Sequence, residues 1–455
     1  MGVLFQAFYW NCPAAENQDG TWWNFVASKV PELQQAGFTA LWLPPACKAA
    51  NLGGPSMGYD PYDYYDLGDV NQKGRVKTWF GNQAELTTLV DATHTAGMQA
   101  YADLVINHNN GGDAQELNPI DGNTRWTKFN PGSGKFARDW RSFHPSPYET
   151  FDEMSFGDMP DMCHRNPGVY ENLINLAQFM IETIGFDGFR FDFVKGYGPW
   201  MVKSIAELRY LNKADGGFYP FCVGECWDNA RTIDDWLTSI NTFMDNPVSA
   251  FDFPLHYLLK GVCDTYGFSL STLAQPAGTV VQDTPLRSVT FVDNHDTIRD
   301  DGSAILHDKL MAYSFILTHE GYPSVFWMDW YNFGLAQTGT SNGIAALVTA
   351  HEHYAGGATQ VLFAGDDVYV MQRVGDASHP GLVYVLNNRG DSWNGATVQT
   401  QWNNVRFEPV AWGGHDTSRP ATKWTQSDGH GDFWAGPRGW AVYAPQLQAT
   451  ARTES

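Results

Sequence analysis

GVYENLINLAQFMIETIGFDGFRFDFVKG, residues 168–196, reads as one complete unit of a fold. Its first part places apolar residues at three- and four-residue spacing and stops at Gly185, a residue suited to a left-handed C-cap, so it predicts an amphipathic helix. FDGFRFDF, from Phe186, then predicts a strand, one of a set of which several are apolar on both faces, as in a parallel sheet covered on both sides. Arg190, Asp192 and Lys195 gather at its C-terminal end. Arg190 and Asp192 are two residues apart and so face the same side of the strand.

The same alternation extends in both directions. Strand-like runs begin at Leu4, Ala40, Gln99, Phe186, Phe221, Ser249, Ser288 and Pro323. Between them lie helical patterns ending at Gly37, Gly97 and Gly185, and further ones following Pro199, Arg231, Leu255, His307 and Asn342. Strands interleaved one for one with helices predict an α/β fold, a (β/α)₈ TIM barrel rather than an open doubly wound sheet. The barrel is assigned to residues 1–106 and 164–357. Residues 107–163 break the rhythm with Gly, Pro, Asn and Asp, too long a stretch for an ordinary connection, and predict a small domain inserted after strand 3. From 358 to 455, short runs such as DVYVMQRVG and GLVYVLNNRG, spaced by Gly and Asp turns, predict a C-terminal antiparallel β-sandwich.

Composition narrows the function. With 50 Asp and Glu against 28 Lys and Arg the formal charge is −22, the wrong sign for a nucleic-acid binder. No apolar run reaches the roughly 18 residues of a membrane span. Aromatic residues make up 15% of the chain, 18 of them Trp; most belong in the core, but such rings also stack on the apolar faces of sugars. The six scattered cysteines fit no disulfide framework and no CxxC zinc pattern, so buried thiols with at most one bridge are expected. The start MGVLFQAFYW carries no signal peptide; a secreted protein with its signal trimmed is expected over a cytoplasmic one. A monomer is expected.

In a barrel, side chains at the C-terminal strand ends converge on one face. Here those ends supply Asp103, Asn107 and His108; Arg190, Asp192 and Lys195; Glu225; and Asp293, Asn294, His295 and Asp296. Glycoside hydrolysis needs two carboxyls in different protonation states. Arg190 suits Asp192 to remain ionised as the attacking group. Val223, Cys226 and Trp227 around Glu225 suit it to hold a proton by desolvation. A catalytic metal centre is disfavoured by the arginine beside Asp192, and a non-catalytic glycan-binding barrel by the presence of Asp192, Glu225 and Asp296 together.

DLVINH from Asp103, GFRFDFVKG from Gly188, GECW from Gly224 and FVDNHD from Phe291 together resemble, in order and spacing, the four signature regions of the α-amylase family of retaining glycosidases. SMGYDPYDYYDLGDVNQKG, from Ser56, and LFQAFYW are closest in pattern to the archaeal, liquefying-type members. The resemblance implies Asp192 as nucleophile, Glu225 as general acid/base and Asp296 as the third carboxylate. It implies that Arg190 orients the nucleophile, that His108 and His295 bind hydroxyls, and that Tyr59 underlies the sugar. Lys195 and Trp227 match the leaving-group side. It further implies calcium held by Asn107, Asp152, Asp161 and the carbonyl of Gly196. His144, Glu149 and Cys163 match a zinc site of some archaeal relatives, with Glu149 standing where those have His, so zinc is a second candidate cofactor. The implied activity is endo-hydrolysis of α-1,4 bonds in starch-like polysaccharide and maltooligosaccharides. An exo-acting maltooligosaccharide-forming amylase or a glucanotransferase on the same fold is the alternative.

Overall fold

The structure is a computed structural model that describes residues 2–12, 21–50, 56–151, 153–210 and 217–446. Among them, eight parallel strands close in a barrel: β1 (Leu4–Gln6), β2 (Ala40–Leu43), β3 (Gln99–Leu104), β4 (Gly188–Phe191), β5 (Phe221–Gly224), β6 (Ser249–Phe251), β7 (Ser288–Phe291) and β8 (Tyr322–Phe326). Each lies within or beside a run read as a strand from the sequence. β1, β2, β4 and β7 are buried along their whole length; β2 (ALWL) is apolar on both faces, while β4 and β7 also bury the polar Arg190, Ser288 and Thr290.

The chain packs as two compact units, residues 4–251 and residues 252–455 joined by 1–3. In the first, the helices follow local signals. Trp22–Ala36 ends on Gly37 at φ 104°. Gln83–Thr95 starts with a capping box between Asn82 and Glu85. Pro167–Gln178 continues as a wider π-helical stretch, Phe179–Ile184, before Gly185 at φ 101° closes it. The positive φ explains the glycines at these stops.

The inserted segment is more ordered than its composition predicted. It holds an antiparallel hairpin, Ala114–Leu117 with Thr124–Lys128. Its two ends lie side by side, with His108 bridged to Asp161 and Met162 N–H donating to Asn107 O at 2.8 Å. The motif from Ser56 explains how the insertion is moored. Gln72 Nε2 donates to Asp63 Oδ2 (2.8 Å) and Asp66 Oδ2 (2.6 Å), while its Oε1 accepts from Gly132 N–H at 2.7 Å. Ser133 bonds Asp63 through both its hydroxyl and its N–H. Lys48, fully buried, pairs with Asp66 at 3.2 Å. Arg138 is sandwiched between Phe129 and Phe136, each 4.6 Å away, and donates to the Tyr62 carbonyl.

In the second unit, a six-stranded antiparallel sheet follows the last barrel helix, Ile344–Tyr354. Its strands are β9 (Thr359–Ala364), β10 (Val368–Arg373), β11 (Leu382–Asn387), β13 (Arg406–Gly413), β14 (Lys423–Trp424) and β16 (Gly439–Pro445), in spatial order β9-β10-β11-β16-β13-β14. A smaller sheet pairs β12 (Asn394–Gln399) with β15 (His430–Ala435). Val370, Val385, Phe407, Phe433 and Tyr443 are among the core residues of this domain. β13 alternates buried and half-exposed positions, whereas β10, β11 and β16 are buried throughout. The helix Lys309–Ile316 packs on β16, which accounts for the fully apolar strand.

His319 joins this sheet to the end of that helix. Its Nδ1 donates to Phe315 O at 2.8 Å, and its Nε2 accepts from the Tyr369 hydroxyl at 3.0 Å, the pattern of a neutral ring. Burial pulls His319 down to about 3. A histidine kept neutral in the fold but protonated when unfolded favours the unfolded chain in acid. Its effect is absent above about pH 6.5 and grows as the pH falls toward 3, reaching about 3 kcal/mol by pH 4. Thermal melts of wild type should therefore fall between pH 6.5 and 4, and His319→Gln should flatten that slope. An identical slope in the variant would remove His319 as its cause.

All six cysteines are buried and free, as expected. No helix among the described residues is long and apolar enough to cross a membrane.

Candidate active site

β3, β4 and β5 are neighbours, with Asp103 opposite Arg190 and Arg190 opposite Val223. The strand ends thus bring Asp103, Arg190, Asp192 and Glu225 together. Arg190 is only 1% exposed and acts as the hub. Its Nη1 donates to Asp192 Oδ1 at 2.7 Å and to Asp103 Oδ1 at 2.9 Å. Its Nη2 lies 2.8 Å from Glu225 Oε2. Glu225 Oε2 also accepts from the Phe193 N–H at 3.1 Å. Burial works against the charge of Arg190, but Asp103, Glu225 and the other acidic neighbours outweigh it and hold the guanidinium firmly protonated.

The sequence reading gave Arg190 to Asp192 alone and apolar neighbours to Glu225. The structure corrects this: Glu225, 8% exposed, touches the same guanidinium as Asp192, 6% exposed. Spacing along β4 revealed the Arg190–Asp192 pair, whereas contact with Glu225 depends on the register between β4 and β5.

Asp103 had been noted as a polar strand end without a role. It anchors the hub. Its Oδ2 accepts from Trp42 Nε1 (3.0 Å) and from the Tyr59 hydroxyl (2.8 Å), while both its oxygens face Arg190. Burial pushes the Asp103 carboxyl up, against the pull of Arg190, Tyr59 and Trp42. Trp42 and Tyr59 lie 5.2 and 5.7 Å from the guanidinium carbon, and Trp10 stacks on Tyr59 at 5.9 Å. Tyr59 is half-buried, and the bond of its hydroxyl to Asp103 fixes the orientation of its ring.

His108 lies just past the end of β3, beside Tyr59. It is 1% exposed, its Nε2 bonds Tyr59 O at 2.9 Å, and Phe156 stacks on its face at 4.7 Å. Burial pulls the ring down, favouring the neutral form. In this arrangement His108 holds the backbone of Tyr59. Lys195 and Trp227 are brought together: Lys195 Nζ donates to Trp227 O at 2.6 Å and to Asp228 Oδ2 at 3.2 Å.

Gly196 packs against the Asn107 side chain, and the 107–108 backbone pairs with that of 161–162, while Asp152 lies outside the described residues. Asn107 Oδ1 is buried and has no hydrogen-bond partner among the described residues. A Cβ on Gly196 would come within 2.1 Å of that oxygen, so only glycine fits there. A buried amide oxygen without a partner, packed against Gly196, suits a hard cation. The donor atoms of His144, Glu149 and Cys163 all lie within 4.8 Å of one another. His144 Nδ1 is 3.1 Å from Asp161 Oδ2. Burial pulls the His144 ring down, but Asp161 and Cys163 outweigh it and push it up to about 10. The spot attracts positive charge, and a divalent ion would replace that proton.

In the second unit, the segment after β7 folds into a tight turn. Asn294 Oδ1 accepts from the N–H groups of Asp296 (2.8 Å) and Thr297 (2.9 Å). His295 Nε2 lies 3.2 Å from Asp296 Oδ2. Asp293 is buried behind the turn, and Lys309 Nζ sits 2.7 Å from both Asp293 Oδ2 and Asp329 Oδ1. Arg299 donates through Nε (2.9 Å) and Nη2 (2.6 Å) to Asp296 Oδ1. Lys309, Asp329 and Arg299 were not singled out from the sequence, since no spacing rule links them to the FVDNHD run.

Comparison with known proteins gives the family of the chain. The model of the alpha-amylase catalytic domain matches residues 14–325. The chain is 33% identical over 439 residues to an alpha-amylase of Geobacillus stearothermophilus, covering 84% of this chain and 76% of that one. It is 30% identical over 493 residues to a glucan 1,4-alpha-maltohexaosidase of Bacillus sp. (strain 707), covering 95% and 90%. In fold it resembles the crystal structure of an alpha-amylase from Geobacillus thermoleovorans complexed with acarbose, with a TM-score of 0.69 at 19% identity over 98% of both chains. With the four strand-end motifs, the closed barrel and the match across its catalytic domain in agreement, the chain belongs to the α-amylase family of glycoside hydrolases.

Proposed function

We propose that this protein is an endo-acting α-amylase that hydrolyses internal α-1,4 bonds of starch-like glucans with retention of configuration. The observation that carries the reading is Arg190, bound at one end to Asp192 and at the other to Glu225. Two carboxyls gathered on one guanidinium favour the close pair of a retaining enzyme, roughly 5 Å apart, over the wider pair of an inverting one.

Asp192, ionised and oriented by Arg190, attacks the anomeric carbon. Glu225 gives its proton to the departing glucosidic oxygen, and the covalent glycosyl ester forms with inversion. Glu225, now a carboxylate, takes a proton from water; the water breaks the ester with a second inversion, so the product keeps the α configuration. Asp296 and His295 are assigned to the hydroxyls of the distorted sugar, Tyr59 to its apolar face, and Lys195 and Trp227 to the leaving-group side. A proton on Glu225 is needed in the first step, so the Arg190 contact must loosen or be shared as substrate excludes water.

Calcium is assigned to Asn107 Oδ1, the Asp161 carboxylate and the Gly196 carbonyl, with Asp152 as a further ligand by resemblance. When bound it supplies charge neutralisation and cross-links the insertion to the end of β4. Zinc is assigned to His144, Glu149 and Cys163. Chelation with EDTA should lower the melting temperature by several degrees, and added calcium should restore it. An unchanged melt in protein shown by metal analysis to be calcium-free would defeat the assignment.

Chromatography of products from soluble starch, with anomers followed by NMR, tests the main reading. Early random shortening of the polymer and α-anomeric products are expected. A single short product released from the start would favour the exo-acting reading, which the resemblance to a maltohexaosidase keeps in view. Cyclic or lengthened products would favour a glucanotransferase, and β-anomers would overturn retention.

A further inference from the structure

We propose that Arg299 is a positioning residue for Asp296, setting the orientation in which that carboxylate meets the sugar. The inference rests on the reading of Asp296 as the third carboxylate. Arg299 lies outside the FVDNHD run, three residues beyond Asp296 on the same turn, whose backbone closes with Arg299 N–H on Asp296 O at 3.1 Å.

The geometry is more specific than a surface ion pair. Nε and Nη2 converge on one oxygen, Oδ1, at 2.9 and 2.6 Å. The other oxygen, Oδ2, is left toward His295 Nε2 at 3.2 Å, from a ring that is fully buried. The backbone N–H of Asp296 is tied to Asn294 Oδ1 at 2.8 Å. Three groups therefore meet three atoms of one residue. Asn294 is itself held by its further bond to Thr297, whose hydroxyl reaches buried Asp293 at 2.8 Å. Asp293 is in turn held by Lys309. Of the groups on Asp296, the arginine is the most exposed, at 47% of its side chain.

An exposed ion pair adds little to stability, so Arg299 is not needed for folding. Its effect falls on geometry. Without it the carboxylate regains rotation about its side-chain bonds and must be reordered in each transition state. Misorientation of a group that acts on the transition state lowers kcat, while ground-state binding along a long glucan is shared among many contacts and keeps KM.

The test compares wild type with Arg299→Met and Arg299→Lys on soluble starch and on 4-nitrophenyl α-maltoheptaoside, with a thermal melt of each. Arg299→Met should lower kcat about ten- to a hundredfold, with KM within about twofold and the melting temperature within about 2 °C. Arg299→Lys should recover part of the loss, since an ammonium keeps the charge on Oδ1 but not the fork. A kcat for Arg299→Met within about twofold of wild type would overturn the inference. So would a loss of kcat matched by a loss of melting temperature, which marks a merely structural role. A wild-type enzyme inactive on both substrates would defeat the underlying reading of the site, a result distinct from either.

Discussion

Asp192→Asn and Glu225→Gln should each lower kcat on starch by at least about a thousandfold while leaving the melting temperature close to wild type. Both substitutions preserve shape, and Arg190 keeps two of its three carboxylate partners in either variant. The two losses should differ in kind. Glu225 acts by protonating a poor leaving group, so Glu225→Gln should recover much of the first step on a glucosyl fluoride, whose leaving group needs little help. Asp192→Asn removes the nucleophile itself and should gain nothing from a better leaving group. Rates on starch and on the fluoride, measured for both variants, check this directly. Equal recovery in the two variants would exchange or erase the assigned roles.

Arg190→Met should give the second large effect, and on stability as well as activity. The substitution leaves Asp103, Asp192 and Glu225 facing one another in a buried site from which their common cation has gone. Removing one partner of a buried ion pair costs about 3–5 kcal/mol, because the remaining charge stays desolvated. A fall of several degrees in melting temperature and loss of detectable starch hydrolysis are expected. Arg190→Lys should be intermediate in stability and nearly as poor in activity. A single ammonium cannot span the distance that lets Nη1 serve Asp103 and Asp192 while Nη2 serves Glu225. A melting temperature for Arg190→Met equal to wild type would mean that the three carboxylates are compensated by some other group.

The two predictions draw on different kinds of information. Asp192 and Glu225 were legible as chemistry in the sequence because each stands at the end of an apolar run, where a charged residue has no packing reason to be. Arg190 as a shared hub was not, since it needs β3, β4 and β5 to lie in one particular register. His108 shows the same limit from the other side. Its place in DLVINH gave no sign that the fold would set Tyr59 O and Phe156 against it. Asp293, Lys309 and Asp329 form a buried cluster from three separate segments, and no local pattern joins them.

The sequence alone determined the alternation of strands and helices, the stops at Gly37 and Gly185, the place of the insertion and the ends of the strands where chemistry sits. These are local consequences of hydrophobic period and backbone preference, and they act over a few residues at a time. The tertiary structure decided which charges share a partner, which histidine bonds the Tyr59 backbone and that the Asn107 side-chain oxygen is buried without a hydrogen-bond partner among the described residues. Those outcomes depend on distances between segments far apart in the chain, and burial makes them matter: once water is excluded, a carboxylate or amide must take its partners from whatever the packing brings within 3 Å or so.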